Sequence, residues 1–595
     1  MPTGRDGLEP ILERYRRDPA YLLQILRDVQ EERDWIDREA VAAIAEALGL
    51  SPAAVEGTLR FYSFLCAEPR GRYRILVSDN ITDRMLGIAA VIGRLSQQLG
   101  VSPGEVSADG LVGLDVTSCT GMCDQGPAIL VNGRAVTHVT PERADILAEL
   151  VRRQVAVAEW PADFFTVVDN VRRPDLLLSN LVPLGDALKA AVARGPEAMI
   201  AEIEASRLRG RGGAGFSTAI KWKAARGTES DIRYVVCNAD EGEPGTFKDR
   251  VLLQSHAARV FEGMAIAAYA IGARRGYLYL RGEYAYMRAA IEAVLADMRA
   301  KRLLGNAILD REGFDFDIEV HLGAGAYICG EESALLESLE GRPGRPRIRP
   351  PFPVTHGFHG KPTVVNNVET LAAVTLVALN GGAWFASFGT PRSSGTKILS
   401  VSGDCERPGL YEYPFGVRVS QILADCGARH AKAVQVSGAS GICLSERDFS
   451  RRIAFEDVPT AGAFMIFGEH RDMFEMAQNF AHFFAHESCG FCTPCRVGTK
   501  LVANYMDEIG AGHGTHYTVN EIMTLAELMR RTSHCGLGQT ACNAILDTFA
   551  KFRPSWDRRL TSTDFEPTFD LDAALASARA LTGRNDAGAH LETRD

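Results

Sequence analysis

Residues 318 to 332 read Ile318-Glu-Val-His-Leu322-Gly323-Ala-Gly325-Ala-Tyr327-Ile-Cys329-Gly330-Glu331-Glu332. An alternating apolar run stops at two glycines, and an acidic, helix-favouring segment begins after them. That order of strand, glycine turn and helix start aims backbone N–H groups beyond the strand end and suits a ligand there. It is also the repeating unit of an α/β domain. Strand and helix signals alternate in this way to about residue 390, which predicts a central α/β domain over residues 176–393.

Upstream, the strand-like Tyr234-Val-Val-Cys237 leads into Asn238-Ala-Asp240-Glu241-Gly242-Glu243-Pro-Gly-Thr-Phe247-Lys248-Asp249-Arg250. Carboxylates in such a turn accept hydrogen bonds from ribose or ribityl hydroxyls; a solvated acidic turn paired with Lys248 and Arg250 is the plainer reading. Further up, Gly210-Arg-Gly212-Gly213-Ala-Gly215-Phe216 has the letters of a dinucleotide fingerprint, but the segment before it reads as a helix, not a strand, so the ordinary Rossmann form is not expected. Its glycines still let backbone amides approach a phosphate or a flat ring, with a flexible surface loop as the alternative. Downstream come Arg349-Pro-Pro-Phe352 and Lys361-Pro-Thr-Val-Val-Asn366-Asn367-Val-Glu-Thr370. Phe216 and Phe352 are placed to stack an adenine, or to serve as core aromatics.

The strongest chemical signal is Cys489-Gly-Phe-Cys492-Thr-Pro-Cys495, with Cys535 at a distance before Gly536. Three thiolates at two-residue spacing and one remote partner match the four soft ligands of a [4Fe-4S] cluster. Structural zinc usually pairs two Cys-x2-Cys knuckles, which leaves Cys492 hard to place. Buried free thiols would need three cysteines by chance within a few residues. Cys542 is a rival fourth ligand; Cys535, at an expected helix-end turn, is preferred.

The whole chain sets the frame for these motifs. At 595 residues it exceeds what one core usually serves, so several domains are expected. With 46% hydrophobic and 24% charged residues, and every apolar run interrupted by charge, no direct membrane insertion is expected. A net charge of -10 and no basic, aromatic-laced stretch argue against nucleic acid as a partner. The opening MPTGRDGLEP lacks an apolar signal core, so a cytoplasmic location is expected. Thirteen cysteines in such a chain fit buried thiols or metal ligands better than disulfides.

Patterning divides the remainder. Residues 1–70 read as short amphipathic helices, with Asp18-Pro19 and Ser51-Pro52 as cap pairs. A strand at 75–77, a helix across about 83–100, a strand near 111–117 and Ile129-Leu130-Val131 before the turn signal Asn132-Gly133 follow. Residues 156–175 read as a linker, 394–471 as a small mostly-β module, 472–560 as helical, and 561–595 as a tail with little core.

Five strings in order carry a family resemblance: Arg209-Gly-Arg-Gly-Gly-Ala-Gly-Phe216, Asn238 to Arg250, Gly325-Ala-Tyr-Ile-Cys-Gly-Glu-Glu-Ser-Ala334, Val365-Asn-Asn-Val-Glu-Thr370 and Ser488-Cys-Gly-Phe-Cys-Thr-Pro-Cys-Arg496. From about residue 175 to 555 the chain resembles the NADH-binding 51-kDa-type subunit of respiratory complex I and its relatives. The resemblance implies an atypical Rossmann-like FMN/NADH domain, a ubiquitin-like β-grasp module at 394–471 and a C-terminal helical bundle with the iron–sulfur cluster, in an α/β multidomain chain. It implies FMN contacts at Gly210, Gly212, Lys221, Asn238, Asp240, Tyr327, Gly330, Glu331, Asn366, Asn367 and Thr370. For NAD(H) it implies Phe216, Glu243, Glu332, Arg349 and Phe352, where Arg349 stands at a position that commonly holds Lys, a planar fork in place of a point charge. Cys489, Cys492, Cys495 and Cys535 are the implied [4Fe-4S] ligands.

The first 155 residues resemble the 24-kDa-type thioredoxin-like subunit, with the thioredoxin-like domain at 71–155. That family holds a [2Fe-2S] cluster on two cysteine pairs. The second survives as Cys119 and Cys123, while the first falls at Ser78 and Asp83, so a docking domain is favoured over a second cluster. The fusion resembles the diaphorase flavoprotein subunits of NAD-reducing [NiFe] hydrogenases. It implies electron transfer between NAD(H) and an iron–sulfur chain through FMN, with an iron–sulfur electron-transfer subunit and [NiFe] hydrogenase subunits as partners. No side chain need act as acid or base, and Glu332 and Glu243 are expected to tune nucleotide binding. The flavin subunit of an NAD-dependent formate dehydrogenase or of complex I is the nearer alternative, and a non-catalytic nucleotide-binding scaffold the more distant one.

Overall fold

A computed structural model of the chain describes residues 7–179, 182–561 and 571–584. Three sheets organise it, with helices at both ends of the chain.

The central sheet sets the site. Thr363–Asn367, Tyr234–Ala239, Arg275–Leu280 and Asp317–Leu322 lie side by side in that order, all parallel. Successive residues alternate between two cores. Val235, Cys237 and Ala239 pack with Val260, Met264 and Leu371 of the helices Ala257–Ile271 and Val368–Asn380. Tyr234 and Val236 face a second core that contains Leu22, Leu23 and Leu26 of the N-terminal helix Leu22–Arg33. Gln24 exchanges two hydrogen bonds with the backbone of Leu322, at 2.8 and 3.2 Å, and Arg27 donates to Gly323 O at 2.6 Å. The N-terminal helices thus cover the back of the sheet that holds the glycine turns. Asn238, Leu322 and Asn366–Asn367 all lie at its carboxyl edge, where open parallel sheets place ligands.

The N-terminal sheet runs Glu105–Val106, Val112–Thr117, Tyr73–Ser78, Ile129–Val131, Arg134–Val136. Asn132 and Gly133 have φ of 48° and 76°, as a tight hairpin turn requires. The helix expected across 83–100 is two, Ile81–Met85 and Ile88–Leu99, because Gly87 at φ 89° breaks the run.

The third sheet orders Ile442–Ser445, Ala431–Val436, Ala463–Gly468, Thr396–Gly403, Gly409–Pro414 and Val171–Arg173. Its last strand comes from the stretch read as a linker. The pairing depends on Gly409, where a Cβ would lie 2.1 Å from Asn170 O.

Beyond it, helices Met473–Glu487, Thr493–Gly510, His516–Thr532 and Asn543–Lys551 form a bundle around Phe480, Met506, Ile522 and Trp556. The cysteine loop joins its first two helices. Among the described residues of the tail there is a helix, Leu571–Thr582; residues 562–570 and 585–595 lie outside them. No single helix among the described residues is long and apolar enough to cross a membrane.

Candidate functional site

The glycine loop 210–216 folds back on itself, Gly210 N donating to Phe216 O at 2.8 Å, and is tied to a helix start by Arg211 N donating to the Thr370 hydroxyl at 2.9 Å. Gly213 and Gly215 have φ of 139° and 62°, and a Cβ on Gly212 would press on Asn367 at 3.1 Å. Asn367 caps the helix Val368–Asn380 by accepting Glu369 N, and Asn366 accepts the indole N–H of Trp222 at 3.0 Å. On the other side, Asn238 donates to Gly330 O at 2.8 Å and accepts Asp240 N at 3.0 Å. The Oδ2 atom of Asp240 is buried without a partner, and burial holds this carboxyl well above its ordinary range. A ligand hydroxyl would satisfy it. Glycine-opened backbone, a helix N-terminus and an orphaned acceptor together fit a phosphorylated, polyhydroxylated cofactor such as FMN.

Of the residues expected at the nucleotide, Glu332 meets Arg349 and also Lys221, while Glu243 meets Tyr327 and Ser440. Phe216 and Phe352 stand 53% and 52% exposed, unusual for large aromatics and suited to stacking a ring from solution. Lys221 Nζ lies 2.5 Å from Glu332 Oε2 and donates to Val365 O at 3.1 Å. Arg349 reaches Glu331 at 3.3 Å and Glu332 at 3.8 Å. Lys221, expected toward the flavin, is therefore paired with a nucleotide-side carboxylate. Glu331 caps the helix Glu332–Leu339 by accepting Ser333 N and Ala334 N, so its carboxylate is largely committed. Glu243 accepts Tyr327 OH at 2.5 Å and Ser440 N at 2.8 Å; burial pushes it up to about 6 against those hydrogen bonds.

Cys489, Cys492, Cys495 and Cys535 line one cleft with Ile328, Pro346, Phe491 and Leu537. Cys542 is buried and lies outside that lining. Among the described residues no three His, Cys, Asp or Glu side chains converge as on a single ion. Burial pushes Cys495 to about 11 and Cys535 to about 12, a cost that iron binding reverses.

The remaining cysteine pair is different. Cys119 and Cys123 are buried 3.6 Å apart, and their mutual hydrogen bond lowers one thiol, Cys119, and raises the other. Ser78 Oγ and Asp83 Oδ2 bond each other at 2.5 Å. Between all four lies the amide nitrogen of Asn80, 3.0 Å from Ser78, 2.7 Å from Asp83, 3.3 Å from Cys119 and 3.7 Å from Cys123. Burial pushes Asp83 up to about 8, so it carries a proton at neutral pH. Two thiols, a neutral acid and an amide at the centre do not fit a [2Fe-2S] cluster.

Residues 203–376 match the family described as the Nuo51 FMN-binding domain, 8–152 the thioredoxin-like [2Fe-2S] ferredoxin family, and 475–559 the NADH-ubiquinone oxidoreductase-F iron-sulfur binding region. The chain is 45% identical to the NAD-reducing hydrogenase HoxS subunit alpha of Cupriavidus necator, over 95% of this chain and 96% of that one. It belongs to the family of NAD-reducing hydrogenase alpha subunits. The family's architecture is also met among solved structures: a chain of an NAD+-reducing [NiFe]-hydrogenase in the H2-reduced state superposes with a TM-score of 0.88 at 43% identity, covering 97% of this chain and all of that one. An NADH-quinone oxidoreductase subunit of Escherichia coli is 42% identical over 60% of this chain and 81% of its own. The thioredoxin-like match locates the fold of this family's N-terminal domain, while the residues around Asn80 differ from a cluster site.

Three residues of the site escaped sequence reading. Asn80 sits between the two lost ligand positions, and Glu487 stands just before Cys489. Ser440 lies in the polar, glycine-flanked tip Ser437-Gly-Ala-Ser440-Gly441 between two β runs, a visible signal whose target was not.

Proposed function

We propose that this chain is the diaphorase subunit of an NAD-reducing [NiFe] hydrogenase, moving electrons between NAD(H) and an iron–sulfur chain through FMN in the reaction H2 + NAD+ = NADH + H+. One observation supports the reading: in the turn Tyr327–Gly330, Gly330 O accepts from Asn238 and Tyr327 OH donates to Glu243, while Ile328 lines the cysteine cleft. A flavin held beside Asn238 and a cluster held in the cysteine cleft would be separated by this short turn, the arrangement that electron transfer between them needs.

FMN, when bound, supplies the exchange between a two-electron hydride and single electrons. Gly210, Gly212, Asn238, Asp240, Gly330, Asn366 and Asn367 cradle it, and Thr370 fixes the loop by accepting Arg211 N. Phe216 and Phe352 take the adenine between exposed rings, and Glu243 accepts ribose hydroxyls. Glu332, with Lys221 and Arg349 at its flanks, sets the local charge and hence how tightly the nucleotide is held. Holding the nicotinamide against the flavin removes the orientational cost of transfer, and no side chain has to move a proton. Cys489, Cys492, Cys495 and Cys535 hold the [4Fe-4S] cluster. An iron–sulfur electron-transfer subunit and the [NiFe] subunits complete the assembly, in the cytoplasm, where thiolate sites persist.

Hydrogen-dependent NAD+ reduction by the purified complex, with nickel analysis of the same sample, tests this. Activity with nickel is expected; NADH–dye reduction by a complete complex lacking both nickel and hydrogen activity would move the assignment to a formate- or quinone-linked assembly.

A further inference from the structure

Glu243 is gripped from another domain. Its Oε1 accepts the backbone N–H of Ser440 at 2.8 Å, and its Oε2 accepts the Ser440 hydroxyl at 3.0 Å and the Tyr327 phenol at 2.5 Å. Ser440 stands in the tip that joins Ala431–Val436 to Ile442–Ser445 of the six-stranded sheet. The tip comes so near that a Cβ on Gly438, at φ +70°, would lie 2.4 Å from Glu243 Cγ. Only glycine allows that approach.

The same hairpin is fixed from behind by the C-terminal bundle. Asn543 donates to Ser440 O at 2.9 Å, Asp547 accepts Cys443 N at 2.8 Å, and Lys551 donates to Cys443 O at 2.6 Å. An ionised carboxylate has about four acceptor directions; Ser440 and Tyr327 take three of those on Glu243, and the backbone N–H of Ala439 in the same tip also bonds it. Little rotational freedom is left to it, and what remains is directed.

We infer that Ser440 is a positioning residue for nucleotide binding: by donating twice to Glu243 it fixes the carboxylate in the orientation that receives the ribose hydroxyls. This rests on the reading of Glu243 as a nucleotide contact. It also makes the β-grasp module part of the nucleotide site, and through Asn543 it ties that site to the bundle that bears the cysteine cleft.

The test is steady-state NADH oxidation by the complete complex with an artificial one-electron dye, for Ser440→Ala, Ser440→Thr and Glu243→Gln, with FMN per chain measured on each. Losing one hydrogen bond to a charged group should raise KM for NADH about three- to tenfold in Ser440→Ala while kcat stays within about twofold. FMN content should not change. Ser440→Thr keeps the hydroxyl and should bring KM back toward the parent value. A raised KM in Glu243→Gln with an unchanged one in Ser440→Ala overturns the positioning role and leaves the reading of Glu243 intact. Unchanged KM in both overturns both. Loss of FMN and kcat alongside KM in Ser440→Ala, without recovery in Ser440→Thr, marks the tip as structural only and overturns the proposal.

Discussion

Glu487, just before Cys489, accepts the backbone N–H of Tyr327 at 3.0 Å, and its other oxygen takes the Ser118 hydroxyl at 2.6 Å. One carboxylate therefore joins the cysteine loop, the turn Tyr327–Gly330 and the loop that carries Cys119. Glu487→Ala strands two donors in a crowded junction, at a cost of about 1–3 kcal/mol. The expected result is a lower unfolding temperature and earlier flavin release on heating, read by calorimetry and flavin fluorescence; an unchanged release temperature would show that the junction contributes nothing to flavin retention.

The Lys221–Glu332 pair, with Arg349 beyond it, places a single carboxylate between two cations. Under the proposed function, Glu332→Gln removes negative charge from the nucleotide site. At this partly exposed site the change is worth on the order of 1 kcal/mol, so NADH should bind several-fold tighter. FMN content should stay at the parent level. Equilibrium titration of NAD(H) with parallel flavin analysis decides between this and a general collapse of the site, which would lower both.

Asp83 is expected to make stability fall as pH rises. Its folded pKa, about 8, lies above that of an unfolded aspartate near 4. Between those values the folded chain keeps a proton that the unfolded chain has lost, so the contribution to stability declines through that window and is level above it. Asp83→Asn keeps a neutral donor–acceptor group in place. It should raise the unfolding temperature at pH 8 and change it little at pH 4; thermal melts at both pH values measure the difference.

Cys535 and Cys542 separate by metal content. Cys535 lines the cleft and Cys542 does not. Cys535→Ser should lower iron below about four atoms per chain and weaken the cluster's absorbance and paramagnetic signal, whereas Cys542→Ser should retain them. The reverse pattern would make Cys542 the fourth ligand.

Local grammar accounts for what the sequence made legible. The run from Ile318 to Glu332 folds as strand, turn and helix because alternation, two glycines and a capping carboxylate all agree over a short span. Asn132-Gly133 makes its hairpin for the same reason. The cysteine spacing is likewise a local pattern. What was not legible depends on residues far apart. Val171–Arg173 is too short to declare itself, and it is a strand because Gly409 leaves room for Asn170. Lys221 meets Glu332 across 111 positions, a choice of partner that neither residue's surroundings in sequence announce. The amide of Asn80, in reach of Ser78, Asp83, Cys119 and Cys123, needed a fold before it meant anything.

The N-terminal helices bind a surface that the growing chain has yet to make. Gln24 and Leu322 bond each other across 298 positions, and the face of the central sheet that Leu22 and Leu26 cover does not exist until its outer strand has been synthesised. A ribosome exposes those leucines long before their partner emerges. The segment covers the flavin-type domain with residues made some three hundred positions before the strand they bond. A fragment that begins at the thioredoxin-like strands would leave one side of the central sheet uncovered, so the boundary near residue 70 marks a change of pattern, not a place where the molecule can be cut.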